Sequence, residues 1–229
     1  EARYRYWSKR VEDRDGVHNE AGKDKQNTDR LKLRLEPTAE VNQNWHVKAR
    51  LDADINTSKD TGATGDVKLA RVYAQGDYKN FQVKLGKMPF FSTETAGMLF
   101  DDQFSGAQVT FGNQLKFTAE AGRWDLDNAI NQSAIYKAAK AKDEKDNLLY
   151  GDQTASYQGV ALNGTAGKLY GGAAYRLFQS DLFKHVNEVE KSYTGYKANT
   201  DEADIWSVGD GYTFDKNWNL NGAYANKEK

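Results

Sequence analysis

The chain has 229 residues, of which 38% are hydrophobic and 28% are charged, and its mean hydropathy is −0.85. No stretch approaches the roughly 18 consecutive apolar residues of a transmembrane helix, which excludes a helical membrane protein. The 32 basic and 33 acidic side chains nearly cancel, so the total charge indicates no nucleic-acid partner, and the lack of cysteine excludes disulfides and thiolate metal sites.

Alternation of apolar and polar residues recurs along the whole chain. Successive side chains of a strand point to opposite faces, so a period of two predicts a strand. About eleven segments show it, and the fold class that they predict is all-β, an antiparallel up-and-down β-barrel. In chain order the candidates are ARYRYW, RLKLRLE, NWHVKARLDADI, ARVYAQGDY, KNFQVKLG, SGAQVTFG, QLKFTAEAG, ASYQGVAL, KLYGGAAYRLF, IWSVGDGYTF and WNLNGAYA.

The tenth candidate strand contains one residue that does not fit the alternation. Asp210 lies on the apolar face of this segment if that face consists of Trp206, Val208, Tyr212 and Phe214. Either a β-bulge shifts the alternation there or the faces are assigned wrongly.

The connections between the candidate strands alternate strictly between short and long. Short turns are expected at 37–44, 78–80, 112–114, 163–167 and 215–217, and long loops at 13–28, 57–65, 89–103, 126–153 and 179–202. In an up-and-down sheet this pattern places all long loops at one end, which is typical of outer-membrane barrels.

Aromatic residues open several of the strands that follow short turns. Trp45, Phe81 and Trp218 occupy this position in the similar runs NQNWHVKARLD, YKNFQVKLG and DKNWNLNGAYA. Their recurrence at this position favours an interfacial aromatic girdle. For any one of them alone, an ordinary position at the edge of a soluble barrel's core is an equal alternative.

Basic residues collect on the polar face of the first five strands. A soluble barrel would turn this face to bulk water, whereas a membrane barrel needs a wide, hydrated lumen to hold it, such as that of a 16-stranded porin. We expect a basic pore wall, consisting of Arg3, Arg5, Arg30, Lys32, Arg34, Lys48, Arg50, Arg71 and Lys84.

The run MPFFSTETAGMLFDDQF is unusually apolar for a loop. Pro89 is expected to end the preceding strand, because proline cannot donate to a ladder. We expect the loop to fold into the barrel and to set Glu94, Asp101 and Asp102 across from the basic wall; the alternative is a loop that only covers the mouth.

Four runs resemble the OmpM-like outer-membrane porins of diderm Firmicutes: YRYWSKR, RLKLRLEPTAEVNQNWHVKARLD, YAQGDYKNFQVKLGK and LFDDQFSGAQVTFG. The resemblance covers essentially the whole chain. It implies a trimeric, 16-stranded general diffusion porin of the bacterial outer membrane, in contact with lipid and passing small hydrophilic solutes and ions.

Members of that family carry an S-layer-homology domain ahead of the barrel, which tethers the membrane to a cell-wall polymer, and these residues do not include it. Residues 1–229 are therefore expected to be porin barrel alone, and a partial one, because 16 strands of about 21 residues need roughly 330 residues.

No enzymatic or metal chemistry is expected. The Asp101–Asp102 pair has no accompanying nucleophile or histidine, and the three histidines lack metal-binding spacing, so neither catalytic residues nor cofactors are predicted. The alternatives to an open pore are a plugged or structural outer-membrane barrel and a soluble carbohydrate-binding barrel.

Overall fold

The computed structural model describes residues 1–10, 25–57, 64–125, 154–180 and 201–228, nearly all of them in strands. A short 3₁₀ turn, η1 (Thr93–Thr95), interrupts the strand sequence. The strands are β1 (Ala2–Arg10), β2 (Lys25–Leu35), β3 (Thr38–Glu40), β4 (Trp45–Asn56), β5 (Thr64–Asp77), β6 (Phe81–Phe91), β7 (Asp101–Phe111), β8 (Leu115–Asp125), β9 (Thr154–Ala166), β10 (Leu169–Gln179), β11 (Glu202–Thr213) and β12 (Asn219–Glu228).

The strands form one 12-stranded antiparallel sheet in which hydrogen-bonded neighbours follow the order of the chain, with β3 paired to β4 beside that path. The predicted all-β, up-and-down class is confirmed. Each of the eleven predicted segments corresponds to one long strand, and β3 is an addition. Across the described residues, no helix combines the length and the apolar character needed to cross a membrane.

The contacts divide the chain into two compact units. Unit 1 comprises Glu1–Glu40 and Val47–Val72. In it, Leu31 pairs with Tyr4 on one side and with Ile55 on the other, and Lys32 lies between Arg3 and Asp54. Because paired residues point to the same side, the alternation predicted from sequence produces one apolar and one charged face.

Unit 2 comprises Val41–His46 and Tyr73–Lys229, including β6 to β12. Large apolar side chains of its strands are exposed on one face, which we call the apolar face of unit 2; examples are Phe111 and Phe117, which pair across β7 and β8, and Leu162 beside Phe117. Their exposure in water would be unfavourable, at roughly 25 cal/mol per Å² of apolar surface.

The opposite face of unit 2 carries its buried core. Aromatic rings from β6 to β10 and from the segment after β6 pack there against one another. Phe90 contacts Phe100, Phe100 contacts Phe178 and Phe178 contacts Trp124, with ring centroids 4.7 to 5.7 Å apart. The full cluster is Met88, Phe90, Phe100, Phe104, Trp124, Ala155, Tyr157, Phe178 and Ala203. The core therefore lies beneath the segment between β6 and β7, which contributes Phe100.

Two expectations about strand ends are corrected. Pro89 does not end β6, which continues to Phe91 with Pro89 paired to Gln103; proline removes one donor, but its φ lies within the β range. Strand β9 extends to Ala166, so the turn expected at 163–167 is confined to Gly167 and Lys168. The predicted long loops at 126–153 and most of those at 13–28, 57–65 and 179–202 lie outside the described residues.

Asp210 lies on the apolar face without a bulge in β11. The pairing of β11 with β10 is continuous from Glu202 to Thr213, and Asp210 is exposed opposite Gly171 and Gly222. The faces assigned from the sequence are therefore right, and Asp210 is a carboxylate between the apolar residues Val208 and Tyr212 on that face.

Candidate functional site

Residues 92–100 form a compact segment between β6 and β7. Two hydrogen bonds between Ser92 and Phe100 close the base of the segment. The Ser92 N–H donates to the Phe100 carbonyl oxygen (3.0 Å), and the Phe100 N–H donates to Ser92 Oγ (2.9 Å). The chain reverses at Ala96 and Gly97, both with positive φ. The segment is therefore folded on itself rather than extended into solvent.

This segment lies across one face of unit 2. Its η1 turn contacts β9, β10, β11 and β12, although it connects β6 with β7. Five strand spacings separate β6 from β11, about 24 Å in a flat sheet, whereas three residues from Phe91 to Glu94 span at most about 11 Å. The sheet of unit 2 must therefore curve around the segment, which lies on its concave face.

Glu94 anchors the segment to the strands. Arg176 on β10 donates from Nη1 to Glu94 Oε1 at 2.6 Å and from Nη2 to Oε2 at 3.1 Å. Ser207 on β11 donates its hydroxyl to Glu94 Oε1 at 2.6 Å. A bidentate arginine–carboxylate pair is strong and directional, so this contact holds the position of the turn. We call Glu94, Arg176 and Ser207 the clamp.

The clamp is shielded from water. The side chain of Glu94 has no exposed area and that of Arg176 retains 3%. The guanidinium also lies 5.7 Å from the ring centre of Phe90 and 5.6 Å from that of Phe100, within the range of a cation–π contact. Removal of either charge would leave the other buried without the bidentate pairing that offsets its desolvation.

The ionisation of Glu94 depends on this environment. Burial favours the neutral acid, but the hydrogen bonds and charge of Arg176 and the hydroxyl of Ser207 outweigh that effect and lower the pKa of Glu94 below its ordinary value. The carboxylate is therefore charged at neutral pH.

Gly209 allows the turn to approach β11. A Cβ added to Gly209 would lie 1.8 Å from the backbone oxygen of Glu94, whereas a Cβ added to Gly222 on β12 would meet nothing within 4 Å. Close contact between the segment and this strand therefore requires glycine at position 209.

The three acidic residues predicted for the loop do not share one environment. Glu94 is neutralised by Arg176, which differs from its expected role as a carboxylate facing the basic strands. Asp101 and Asp102 are the first residues of β7 and not part of the loop. Asp102 accepts a hydrogen bond from Trp124 Nε1 at 3.2 Å, and Asp101 is exposed.

In unit 1 the predicted basic wall is interleaved with carboxylates. Asp52 on β4 lies 3.0 Å from Arg34 and 2.6 Å from Arg50, while Asp54 lies 3.8 Å from Arg30. Glu1 contacts Arg34 at 3.3 Å. From the sequence we expect the opposing charges across a lumen. In unit 1, carboxylates also stand beside the basic residues, on the same or the adjacent strand.

The remaining residues of the predicted wall occupy the strands expected for them. Arg3 contacts Glu1 at 2.8 Å, and the Arg5 guanidinium lies 5.2 Å from the ring of Trp7. The others lie in the described strands as follows: Lys32 on β2, Lys48 on β4, Arg71 on β5 and Lys84 on β6.

The three predicted interfacial aromatics lie at the end of unit 2 that carries the short turns. The Trp45 indole N–H donates to the Tyr78 hydroxyl at 3.0 Å, and the Tyr78 ring stacks on Phe81 at 4.4 Å. Trp218 is 70% exposed. Trp45 is half-buried because its ring covers Gly76.

Arg176 and Ser207 were not identified from the sequence. Both lie in predicted strands, and a lone arginine in KLYGGAAYRLF was the available signal. Glu94 precedes Arg176 by 82 residues, so no local spacing associates the two.

Comparison with known proteins gives no family assignment. No protein-family model matches the chain, and no curated protein matches it. The solved structures that it resembles include a mutant of the Rh. blastica porin, with 17% identity over 97% of this chain and 71% of that one and a TM-score of 0.46. They also include Salmonella typhi OmpF in complex with daunomycin, with 11% identity, 99% and 76% coverage and a TM-score of 0.44.

Proposed function

We propose that the chain forms the wall of an outer-membrane general diffusion porin, a passive channel for small hydrophilic solutes and ions. The observation that carries the proposal is the inverted distribution of side chains between the two sheet faces. Bulky apolar residues are exposed in both units, among them Leu35 at 65%, Val67 at 75% and Leu220 at 66%. A soluble barrel would instead bury these residues and expose its charges.

Contact with lipid accounts for that distribution. Membrane barrels turn a band of apolar side chains outward and keep a polar interior. The exposed aromatic residues near the short turns, such as Phe81 and Trp218, fit an interfacial girdle at one edge of the band. The charged face of unit 1 is correspondingly the face that requires water.

The segment at 92–100 suits a narrowing of such a channel. It lies on the concave face of unit 2 and is held there by the clamp and by Phe100. Because Glu94 and Arg176 neutralise each other, the segment narrows the passage mainly by its volume. The charges that meet a solute are then those of the exposed strand residues, such as Arg30 and Asp54.

Finer features of the proposal rest on the sequence resemblance to OmpM-like porins. They are a 16-stranded barrel formed with further strands, a homotrimer, residence in the bacterial outer membrane, and a link to a cell-wall polymer through a separate S-layer-homology domain. The assigned activity is diffusion without a catalytic step or cofactor.

The test is reconstitution of the purified full-length protein. We expect it to need detergent for monodispersity and to produce stepwise ohmic conductance in planar bilayers. A protein that is monodisperse in buffer without detergent would contradict the membrane assignment. A detergent-dependent protein with no conductance would instead identify a plugged or structural barrel.

A further inference from the structure

A depression of about 390 Å³ opens on the charged face of unit 1. It lies where β2, β4 and β5 approach the longer connections, and its floor mixes both signs of charge. The side chains that carry those charges are the basic Arg30, Lys32 and Lys68 and the acidic Asp52, Asp54 and Asp66. Its volume lies within the usual range for sites that bind small molecules.

The charges of the depression differ in how fully they are paired. Asp52 contacts two arginines at 3.0 Å or less, whereas the salt bridge of Asp54 within the described ranges is the longer one to Arg30, at 3.8 Å. Within the described residues, no salt bridge joins Lys32, Lys68 or Asp66 to a partner. None of the described residues therefore competes with a ligand for these ammonium and carboxylate groups.

The spacing of these charges suits a small molecule that carries both signs. Lys32 and Asp54 are directly paired across β2 and β4, a relationship that sets their Cα atoms about 4.5–5.5 Å apart. Gly65, which precedes Asp66, packs against the backbone of Asp54 and Ile55, so the carboxylates of Asp54 and Asp66 stand on adjoining strands. Lys32 and Lys68 stand on the two strands that flank Asp54, so that cationic and anionic groups alternate within the length of one amino acid or dipeptide.

We propose that this depression is a binding subsite for zwitterionic solutes, such as free amino acids and short peptides. The solute's carboxylate faces Lys32 and Lys68, and its ammonium group faces Asp54 and Asp66. A neutral solute cannot replace the water on both groups, and a singly charged ion satisfies one side only. The inference rests on the proposed channel function and names the solute class that the channel favours.

The experiment measures ion current through the full-length protein in bilayers while glycylglycine is added. We expect a saturable fall in conductance and no such fall with N-acetylglycinamide, a neutral molecule of similar size. Acetate or ethylammonium should each act more weakly. The preference for the zwitterion should be about fourfold, the factor that two weak exposed ion pairs can supply.

Two paired variants assign the effect to the depression. Asp54→Asn with Asp66→Asn, and Lys32→Gln with Lys68→Gln, should each abolish the saturable fall. All four side chains are at least partly exposed, so the fold should tolerate their loss. Matched controls outside the depression are Lys79→Gln and Asp101→Asn, which should retain the wild-type response.

Each outcome has one interpretation. Three results would overturn the subsite in a channel that conducts ohmically. They are the lack of a saturable response to glycylglycine, an equal response to acetate or ethylammonium, and an unchanged response in both double variants. If no channel forms, the proposed function fails independently. Equilibrium dialysis of the detergent-solubilised chain against labelled glycylglycine then still tests the subsite. Saturable binding that is lost in the double variants and kept in the controls would support the subsite. A wild-type protein without saturable binding would overturn it.

Discussion

Glu94 and Arg176 form a bidentate salt bridge between a turn and a strand 82 residues later. Both side chains are almost completely shielded from water. A buried pair of this kind costs desolvation energy, but breaking it by removing one partner is more unfavourable still. The pair therefore determines where residues 92–100 lie and contributes little net charge to a permeating solute.

Replacement of Glu94 by glutamine tests the clamp. Glu94→Gln keeps the side chain's size but removes the carboxylate that pairs directly with the buried Arg176 charge, which should destabilise the folded protein by about 3–5 kcal/mol. The unfolding midpoint in detergent measures this loss. Single-channel recordings should also show added current noise, since the segment is less firmly held.

The matched control is Asp101→Asn, because Asp101 is exposed at the start of β7. It removes the same charge and should change stability by less than about 0.5 kcal/mol. Equal effects of the two substitutions would show that the buried pair does not hold the segment.

Stability should depend on acid through Glu94. Its pKa is below the ordinary value because the bonds from Arg176 and Ser207 outweigh burial. A group of depressed pKa stabilises the fold above its unfolded pKa, about 4.3, and that contribution is lost as the pH falls through the folded value. The stability difference between wild type and Glu94→Gln should be constant from pH 7 to 5 and shrink below about pH 4; a constant difference down to pH 3 would contradict this.

Two glycine substitutions separate backbone contact from general strand effects. Gly209→Ala places a methyl group against the Glu94 backbone oxygen and should displace the turn, whereas Gly222→Ala on the next strand meets open space. We expect Gly209→Ala to lower the unfolding midpoint and alter conductance, and Gly222→Ala to leave both nearly unchanged. Similar behaviour of the two variants would argue against close packing of the turn on β11.

Cysteine labelling tests which face of β4 meets water. Single cysteines at positions 48 and 50 should react with a membrane-impermeant thiol reagent in the reconstituted protein, whereas cysteines at positions 49 and 51 should be protected by lipid. The reaction is measured as a mass shift. The reverse pattern would show that the charged face of unit 1 is not the water-filled one.

Charge substitutions in unit 1 should shift ion selectivity in opposite directions. Replacing Arg30, Arg34 and Arg50 with glutamine removes the arginine partners of Asp52 and Asp54, so the reversal potential in a salt gradient should move toward cation preference. Asp52→Asn with Asp54→Asn should move it toward anion preference, and Lys79→Gln in a short turn should have little effect. Unchanged potentials in both sets would mean that this face does not line the conducting path.

The sequence by itself determined the strands and their two faces. A period of two is a local property, so NWHVKARLDADI and RLKLRLE predict both the strand and which residues share a side. It also indicated a charged face and an apolar face, because each parity is internally consistent over successive strands. Asp210 was recognised as an exception on the same grounds.

Only the tertiary structure decided how those faces are completed. Arg176, the partner of Glu94, lies on β10, and Gly209, which the Glu94 backbone approaches, lies on β11. No spacing rule connects residues so far apart in the chain, because their contact depends on the curvature of the sheet. Pro89 and Asp101 belong to strands because each is supported by pairing across β6 and β7. Likewise, whether Arg34 faces a lumen alone or beside Asp52 depends on the register of β2 against β4, and register is a property of the assembled sheet.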